Sequence, residues 1–224
     1  MQFDILPVTR YQQNCSVLWC ERTNRAAVVD PGGDLPEIVN FLEFMELELE
    51  LVLVTHGHFD HCGGAAQLAA TTGARIEGPH RGDEPLIARL DEMGDRFGVP
   101  ARSFVSDRWL SNGDSVRFGD EMLSVVHCPG HCRGHVAYFS ESGRQAFVGD
   151  ILFRHAIGSW EHPDGDLPTL IDSIRRRLFP LGDDVGFVPG HGAVSTFGHE
   201  RRENTFVDDE AFARWCERFP QTAR

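Results

Sequence analysis

Residues 55–61 read Thr-His-Gly-His-Phe-Asp-His, which places four metal-binding side chains, His56, His58, Asp60 and His61, within six residues. On a helix, His56 and His58 would point to different sides. On an extended or turning loop they can grip one ion while Asp60 and His61 reach another. Burying four such groups without a cation would leave unpaired polar atoms, at ~1–3 kcal/mol each. Any fold open to this chain must therefore set the segment at a metal site.

The rest of the pattern says how. Short apolar runs at 16–19, 26–29, 51–54, 123–126, 136–139, 145–148 and 185–188, bounded by Gly, Pro or Asp, predict strands. Three helices alternate with them. One starts at Asp34 as N-cap, with Glu37 three residues on and Ile38, Val39, Leu42 and Met45 on one face. A second carries Leu86, Leu90, Met93 and Phe97 and stops at Gly98. A third starts near Asp166 and turns Leu167, Leu170, Ile171, Ile174 and Leu178 inward, with Arg175, Arg176 and Arg177 as a solvated last turn. Alternating strands and helices predict a layered α/β protein.

Four of the strands run straight into a loop rich in Gly, His or Asp, and polar groups at strand ends converge on one edge of a sheet. Besides the first cluster, those loops carry His131, Asp150 and His191, making seven candidate ligands, five His and two Asp. One four-coordinate ion cannot use seven, whereas two ions sharing a carboxylate and a water can. Two divalent ions are expected, Zn first and Fe or Mn as alternatives, because an all-nitrogen-and-oxygen set suits these metals. His135, four residues past His131, suits a hydrogen-bonding role behind the ligands. His127 reads as structural, and His80 and His199 as surface residues. Cys62, Cys128 and Cys132 flank histidines, and their role stays open. Cys15, Cys20 and Cys216 read as small apolar side chains.

Charge and composition exclude several functions. The formal net charge is -13, and all 21 basic residues are Arg, with no Lys. A nucleic-acid or anionic-membrane binder carries the opposite excess. Schiff-base and P-loop chemistry both need a Lys. No run approaches the ~18 apolar residues of a membrane span, and the first residues do not read as a signal peptide, so a cytoplasmic location is expected.

The motif at 55–61, followed in order by His131, Asp150 and His191, resembles the metallo-β-lactamase fold over essentially the whole chain. That resemblance implies an αββα sandwich of two mixed sheets between helical layers, spanning 1–224 as a single domain. It also implies that His56, His58 and His131 hold a first metal, that Asp60, His61 and His191 hold a second, and that Asp150 bridges them. The stretches GDILF and DGDLPTLIDSIRRRLFPLGDDVGFVPGHGAVSTFGHERREN are similar to the glyoxalase II-like (hydroxyacylglutathione hydrolase) branch. The likeness is to its short bacterial form, without the helical C-terminal domain; small helices at 200–204 and 209–218 are expected instead. The implied reaction is hydrolysis of a small-molecule thioester of the S-(2-hydroxyacyl)glutathione type by a metal-bridging hydroxide. Asp60 would orient that nucleophile as well as ligate, which makes it the catalytic candidate.

Longer relatives hold glutathione with Lys and Tyr, but this chain offers only Tyr11 and Tyr138 and no Lys. After GDILF it also departs from the small-residue turn and Gly-Arg pair common in relatives. Arg154, His155, Trp160 and His162 in that stretch are candidate substrate contacts. Trp160 equally suits packing, and Arg154 suits pairing with a surface acid. The alternatives to the hydrolase reading are a persulfide dioxygenase with a single iron, a lactonase, or another metallo-hydrolase of the same fold.

Overall fold

The computed structural model describes residues 1–218. Its first sheet has five strands in sequence order: β1 (Gln2–Val8), β2 (Gln13–Trp19), β3 (Arg25–Val29), β4 (Glu48–Leu53) and β5 (Arg75–Glu77). The first three are antiparallel, and β3, β4 and β5 run parallel. The second sheet contains β6 (Ser115–Phe118), β7 (Glu121–His127), β8 (Val136–Ser140), β9 (Gln145–Gly149), β12 (Gly186–Pro189) and β13 (Ser195–Thr196), ordered β13-β12-β9-β8-β7-β6. Between β9 and β12 a small hairpin, β10 (Leu152–Phe153) and β11 (Ala156–Ile157), stands apart from both sheets.

Period-two alternation builds the layers. Leu51 and Leu53 of β4 point between the sheets, where they meet Val125, Tyr138, Phe147 and Val188 of the second sheet. Val52, on the same strand, points outward into a cluster with Ile38, Leu42 and Leu68. That outer layer comprises α1 (Leu35–Phe44), α2 (Phe59–Cys62), α3 (Ala65–Thr72), α4 (Glu84–Ile87) and α5 (Leu90–Phe97). Beyond the second sheet, α6 (Leu167–Ser173), α7 (Phe197–Glu203) and α8 (Asp209–Arg218) cover Ala137, Phe139, Val148 and Phe187. The molecule is thus an αββα sandwich, as the family resemblance implies. Among the described residues, no helix is long and apolar enough to cross a membrane.

The structure corrects several local expectations. Asp34 precedes α1 but does not cap it: its backbone is left-handed (φ 49°), and its carboxylate accepts from the Thr9 N–H at 2.6 Å. The single helix expected over Leu86–Phe97 is two. Arg89 leaves helical geometry (φ -112°, ψ 13°), so the chain changes direction and both Ile87 and Leu90 reach the outer core. Gly98 ends α5 in the left-handed region, as expected.

Asp166 caps α6 through the Thr169 N–H, but the segment Ile174–Leu178 widens into a π turn. Of the three arginines there only Arg176 is exposed, beside Asp172; the other two are not a solvated end. Arg175 bonds Val207 O at 2.9 Å and stacks on Phe212, and Arg177 donates to His127 O at 2.6 Å. The strand β1 escapes the apolar-run reading because it is an edge strand carrying Asp4 and Pro7, with only one face covered.

Candidate metal centre

The candidate ligands lie at one edge of the sandwich: Asp60 and His61 on the short helix α2, and the others just beyond a strand end or in a loop joining two strands. Parallel pairing of β12 with β9 sets Pro189 against Gly149, and the Gly190 N–H donates to Gly149 O at 2.8 Å. That register brings Asp150 and His191 side by side. The segment after β4 delivers residues 55–61, and the β7–β8 connection delivers His131 and His135.

The seven side chains cluster as two triads with a carboxylate between them. In the first, His58 Nδ1 lies 3.0 Å from both His56 Nε2 and His131 Nε2. In the second, His191 Nε2 lies 3.3 Å from His61 Nε2 and 3.4 Å from Asp60 Oδ2. Asp150 reaches both: Oδ1 is 3.3 Å from His61 Nε2, and Oδ2 is 3.8 Å from His131 Nε2 and 3.9 Å from His191 Nε2.

The hydrogen bonds behind these atoms decide which nitrogens are bare. His61 Nδ1 faces Asp30 Oδ2 at 2.9 Å, His131 Nδ1 faces Ser159 O at 2.7 Å, and His191 Nδ1 faces Tyr11 O at 3.0 Å. Carboxylates and carbonyls only accept, so each Nδ1 donates and each Nε2 presents a lone pair inward. His56 is fixed through an intervening hydroxyl. Thr55 Oγ1 gives its proton to Asp30 Oδ2 at 2.6 Å, so it accepts from His56 Nδ1 at 2.9 Å and leaves that Nε2 bare too. A single proton on His58 Nδ1 serves at most one of its two neighbours. Lone pairs therefore face lone pairs in both triads, an arrangement that a cation at each would satisfy. The residues fit two divalent ions.

Charge points the same way. Burial, then the neighbouring imidazoles, pushes His56 well below its ordinary pKa, and burial brings His58 down to about 3, so both are neutral imidazoles, the form a metal ligand needs. Burial also opposes charge on His61, yet Asp150, Asp30 and Asp60 outweigh it and raise its pKa well above the ordinary value, and Asp60 and Asp150 raise His191 against burial in the same way. The carboxylates thus demand positive charge at these two Nε2 atoms, met by a proton when no cation is there and by the cation, in the proton's place, when one is.

Two carboxylates that support the site went unread in the sequence. Asp30 ends β3, is buried, and spends its oxygens on Thr55 N at 2.7 Å, Thr55 Oγ1 and His61. With those oxygens committed, it orients His61 rather than ligating, although it lies close enough to His56 and His61 to join a cation group. Asp83, equally buried, accepts from Gly57 N at 3.0 Å and from Cys132 Sγ at 3.0 Å, and also from Gly134 N. It ties the His56–His58 segment to the His131 loop, and burial pushes its carboxyl above the usual range. The signal for Asp30 was present: like Asp150, it is an Asp closing a strand before a turn. Asp83 sits in no motif.

His135 takes the supporting role expected of it. It is buried, stacks on His56 at 4.6 Å, and its Nε2 accepts from the Asp150 N–H at 3.1 Å. Cys62, Cys128 and Cys132 are buried, burial raises their thiols, and they join no cation-holding group among the described residues.

The four candidate substrate residues separate. His162 comes to the centre, with its ring 5.2 Å from that of His131 and 5.5 Å from that of His58. Trp160 packs on the second outer core and against Phe206. Arg154 and His155 form the exposed β10–β11 turn, where His155 meets His199 at 3.4 Å. Phe153 carries that hairpin up to His191, at 6.4 Å between rings.

Comparisons with known proteins agree with this geometry. The metallo-beta-lactamase superfamily model matches residues 8–191. A curated relative from Haemophilus influenzae, named hydroxyacylglutathione hydrolase GloC, is 40% identical over 213 residues, which span 94% of this chain and all of that one. Among solved structures, the BLEG-1 B3 metallo-beta-lactamase superposes with a TM-score of 0.85 at 30% identity, covering 92% of this chain and 99% of that one. A di-iron-bound protein, TTHA1623, gives 0.82 at 30% identity, with 91% and 100% covered. ETHE1 from Myxococcus xanthus gives 0.80 at 25% identity, with 97% and 90% covered. Fold, family model and relatives agree: the chain belongs to the metallo-β-lactamase superfamily.

Proposed function

We propose that this chain is a dinuclear metallo-hydrolase that cleaves thioesters of the S-(2-hydroxyacyl)glutathione type. The observation that carries the reading is the pair of lone-pair triads with Asp150 between them. In this assignment His56, His58 and His131 hold one ion, Asp60, His61 and His191 hold the other, and Asp150 is shared. The relative named hydroxyacylglutathione hydrolase, similar along its full length, supports the choice of substrate class.

Two divalent ions bound here supply Lewis-acid polarisation of the carbonyl and a water acidic enough to ionise near neutral pH. The protein's part is placement. Asp30, Tyr11 O and Ser159 O lock three imidazoles in one tautomer and one orientation. Asp60 is held in its ionised form: burial opposes its charge, but the positive charge drawn to His191 and His61, a proton without metal and the ion when one is bound, outweighs that. It can therefore accept a hydrogen bond from the attacking water and aim its lone pair. The leaving thiol has a pKa of ~8.5 in water, so it departs as thiolate and needs no dedicated general acid. Zn is the first choice of metal, and Fe or Mn also suits the donor set.

The competing reading is a single-iron persulfide dioxygenase, in which His56, His131 and Asp150 would suffice. It leaves the Asp60–His61–His191 triad without a task. The test is to assay metal-loaded protein with S-lactoylglutathione, and separately for oxygen uptake with glutathione persulfide. Thioester cleavage without oxygen uptake is expected. Oxygen uptake with no thioester cleavage would overturn the proposal.

A further inference from the structure

A cavity of about 290 Å³ opens beside His58, between α5 and the segment 162–164. Its floor is apolar, built from Phe59, Leu86 and Met93. Two guanidinium groups, those of Arg89 and Arg96, also line it. The break at Arg89 that splits α4 from α5 sets this face: Arg89, Met93 and Arg96 are spaced i, i+4, i+7, one stripe along two turns. The two arginines are thus about 10 Å apart along the axis.

Both guanidinium groups stand on exposed residues, open to an anion. Arg96 makes no ion pair within 4 Å among the described residues; it lies over the Phe97 ring, 5.4 Å from its centroid, and interacts at longer range with Glu92 one turn back. Arg89 pairs with Glu92 at 2.9 Å, but both side chains are about 60% exposed, and such pairs hold weakly enough to be exchanged. Of the other acids nearby, Asp164 lines the cavity itself and lies 3.5 Å from Arg133 Nε, whereas Asp91 accepts from Ser103 N and Asp95 lines a separate groove with Gly98 and Arg102. On the wall opposite α5, His162 Nε2 is buried without a hydrogen-bond partner, ready for a polar atom of a ligand.

We infer, building on the thioester reading above, that α5 anchors the thiol half of the substrate, with Arg89 and Arg96 taking the two carboxylates of glutathione. A tripeptide reaches about 10 Å when extended, close to the separation of the two arginines. Glutathione carries a carboxylate toward each end and its sulfur in the middle. With its backbone along Met93, the sulfur faces His58 and the metal-holding triad. In a chain with no Lys and a net charge of -13, these two arginines supply the cationic anchor that an anionic substrate needs. Arg154, on the hairpin beside His191, lies outside this cavity's lining.

The test uses S-methylglutathione, which has no thioester to cleave, and its dimethyl ester, titrated calorimetrically into metal-loaded protein. Wild type should bind the free acid at least about tenfold tighter than the ester. The double variant Arg89→Ala/Arg96→Ala should lose that preference, and Arg89→Lys/Arg96→Lys should recover part of it. Arg102→Ala, in the neighbouring groove, is the control for surface charge in general. With S-lactoylglutathione the Ala double variant should raise KM at least tenfold with kcat nearly unchanged, the mark of lost uniform binding. A double variant that keeps the wild-type preference overturns the inference, and so does Arg154→Ala accounting for the whole loss. Failure of the underlying function looks different: arginine-dependent binding of S-methylglutathione would persist while S-lactoylglutathione is not hydrolysed.

Discussion

His61→Ala and His191→Ala each lower kcat for thioester hydrolysis by at least about a hundredfold, equivalent to ~2.7 kcal/mol of lost transition-state stabilisation. In the proposed assignment each removes one of three ligands from the second triad, whose remaining atoms would not hold an ion in place to activate water. The fold should survive both changes. Without His61, Asp30 keeps its two bonds from Thr55; without His191, Tyr11 O lies on a half-buried residue that water can reach. Steady-state kinetics with circular dichroism on the same samples checks this. Thioester turnover unchanged in either variant would mean that the second triad does no work in hydrolysis.

Gly190→Ala has the second large effect, at a position that touches no substrate. A Cβ there would overlap Asp150 Oδ1 and press on His61 Cε1, so the shared carboxylate and a ligand of the second triad must both move. Gly192, on the other side of His191, is the contrast: its φ is +77°, but a Cβ there meets nothing within 4 Å. Gly192→Ala should therefore cost ~1–2 kcal/mol of stability through backbone strain and leave metal binding nearly unchanged. Gly190→Ala should weaken metal binding by ~10–100-fold, the range seen when a ligand's support is disturbed. Competition against a chromogenic chelator, alongside thermal melts, separates the two. Equal metal affinity in Gly190→Ala and wild type would show that Asp150 and His61 do not sit as described.

What the sequence discloses here depends on how much chemistry a side chain declares by itself. Histidines and aspartates at strand ends are conspicuous, and all seven candidates fall within one cluster at the edge of the sandwich. The alternation of strands and helices reads from the apolar runs, whereas the αββα layering comes from the resemblance to the metallo-β-lactamase fold; along β4 alternate residues do face different layers. What supports the ligands is harder to see. Ser159 and Tyr11 act through backbone carbonyls, which leave no mark in the residue type. Asp83 works only because the fold folds Gly57, Cys132 and Gly134 around it. Arg89 and Arg96 were hidden by a helical stripe that read as continuous core, Leu86 to Phe97. The bend at Arg89 keeps Leu90 in that core and turns Leu86 and Met93 to a cavity.

Local signals fail in the same way at α1 and after α6. Asp34 has the residue type and spacing of a cap, but a tertiary partner, Thr9 N, takes its carboxylate. Three consecutive arginines look like a solvated helix end until α8 packs beside them and Arg175 is covered by Phe212 and Asp209. In both cases a contact distant in sequence outweighs a preference worth only about a kilocalorie per mole.

The claim at the centre of this account is that two ions, not one, make the catalytic site. It is tested most directly by adding metal stepwise to chelator-stripped protein while recording bound metal per chain and S-lactoylglutathione hydrolysis together. The account predicts that binding saturates at two ions per chain and that most of the activity arrives with the second. Saturation at one ion with full activity would contradict it.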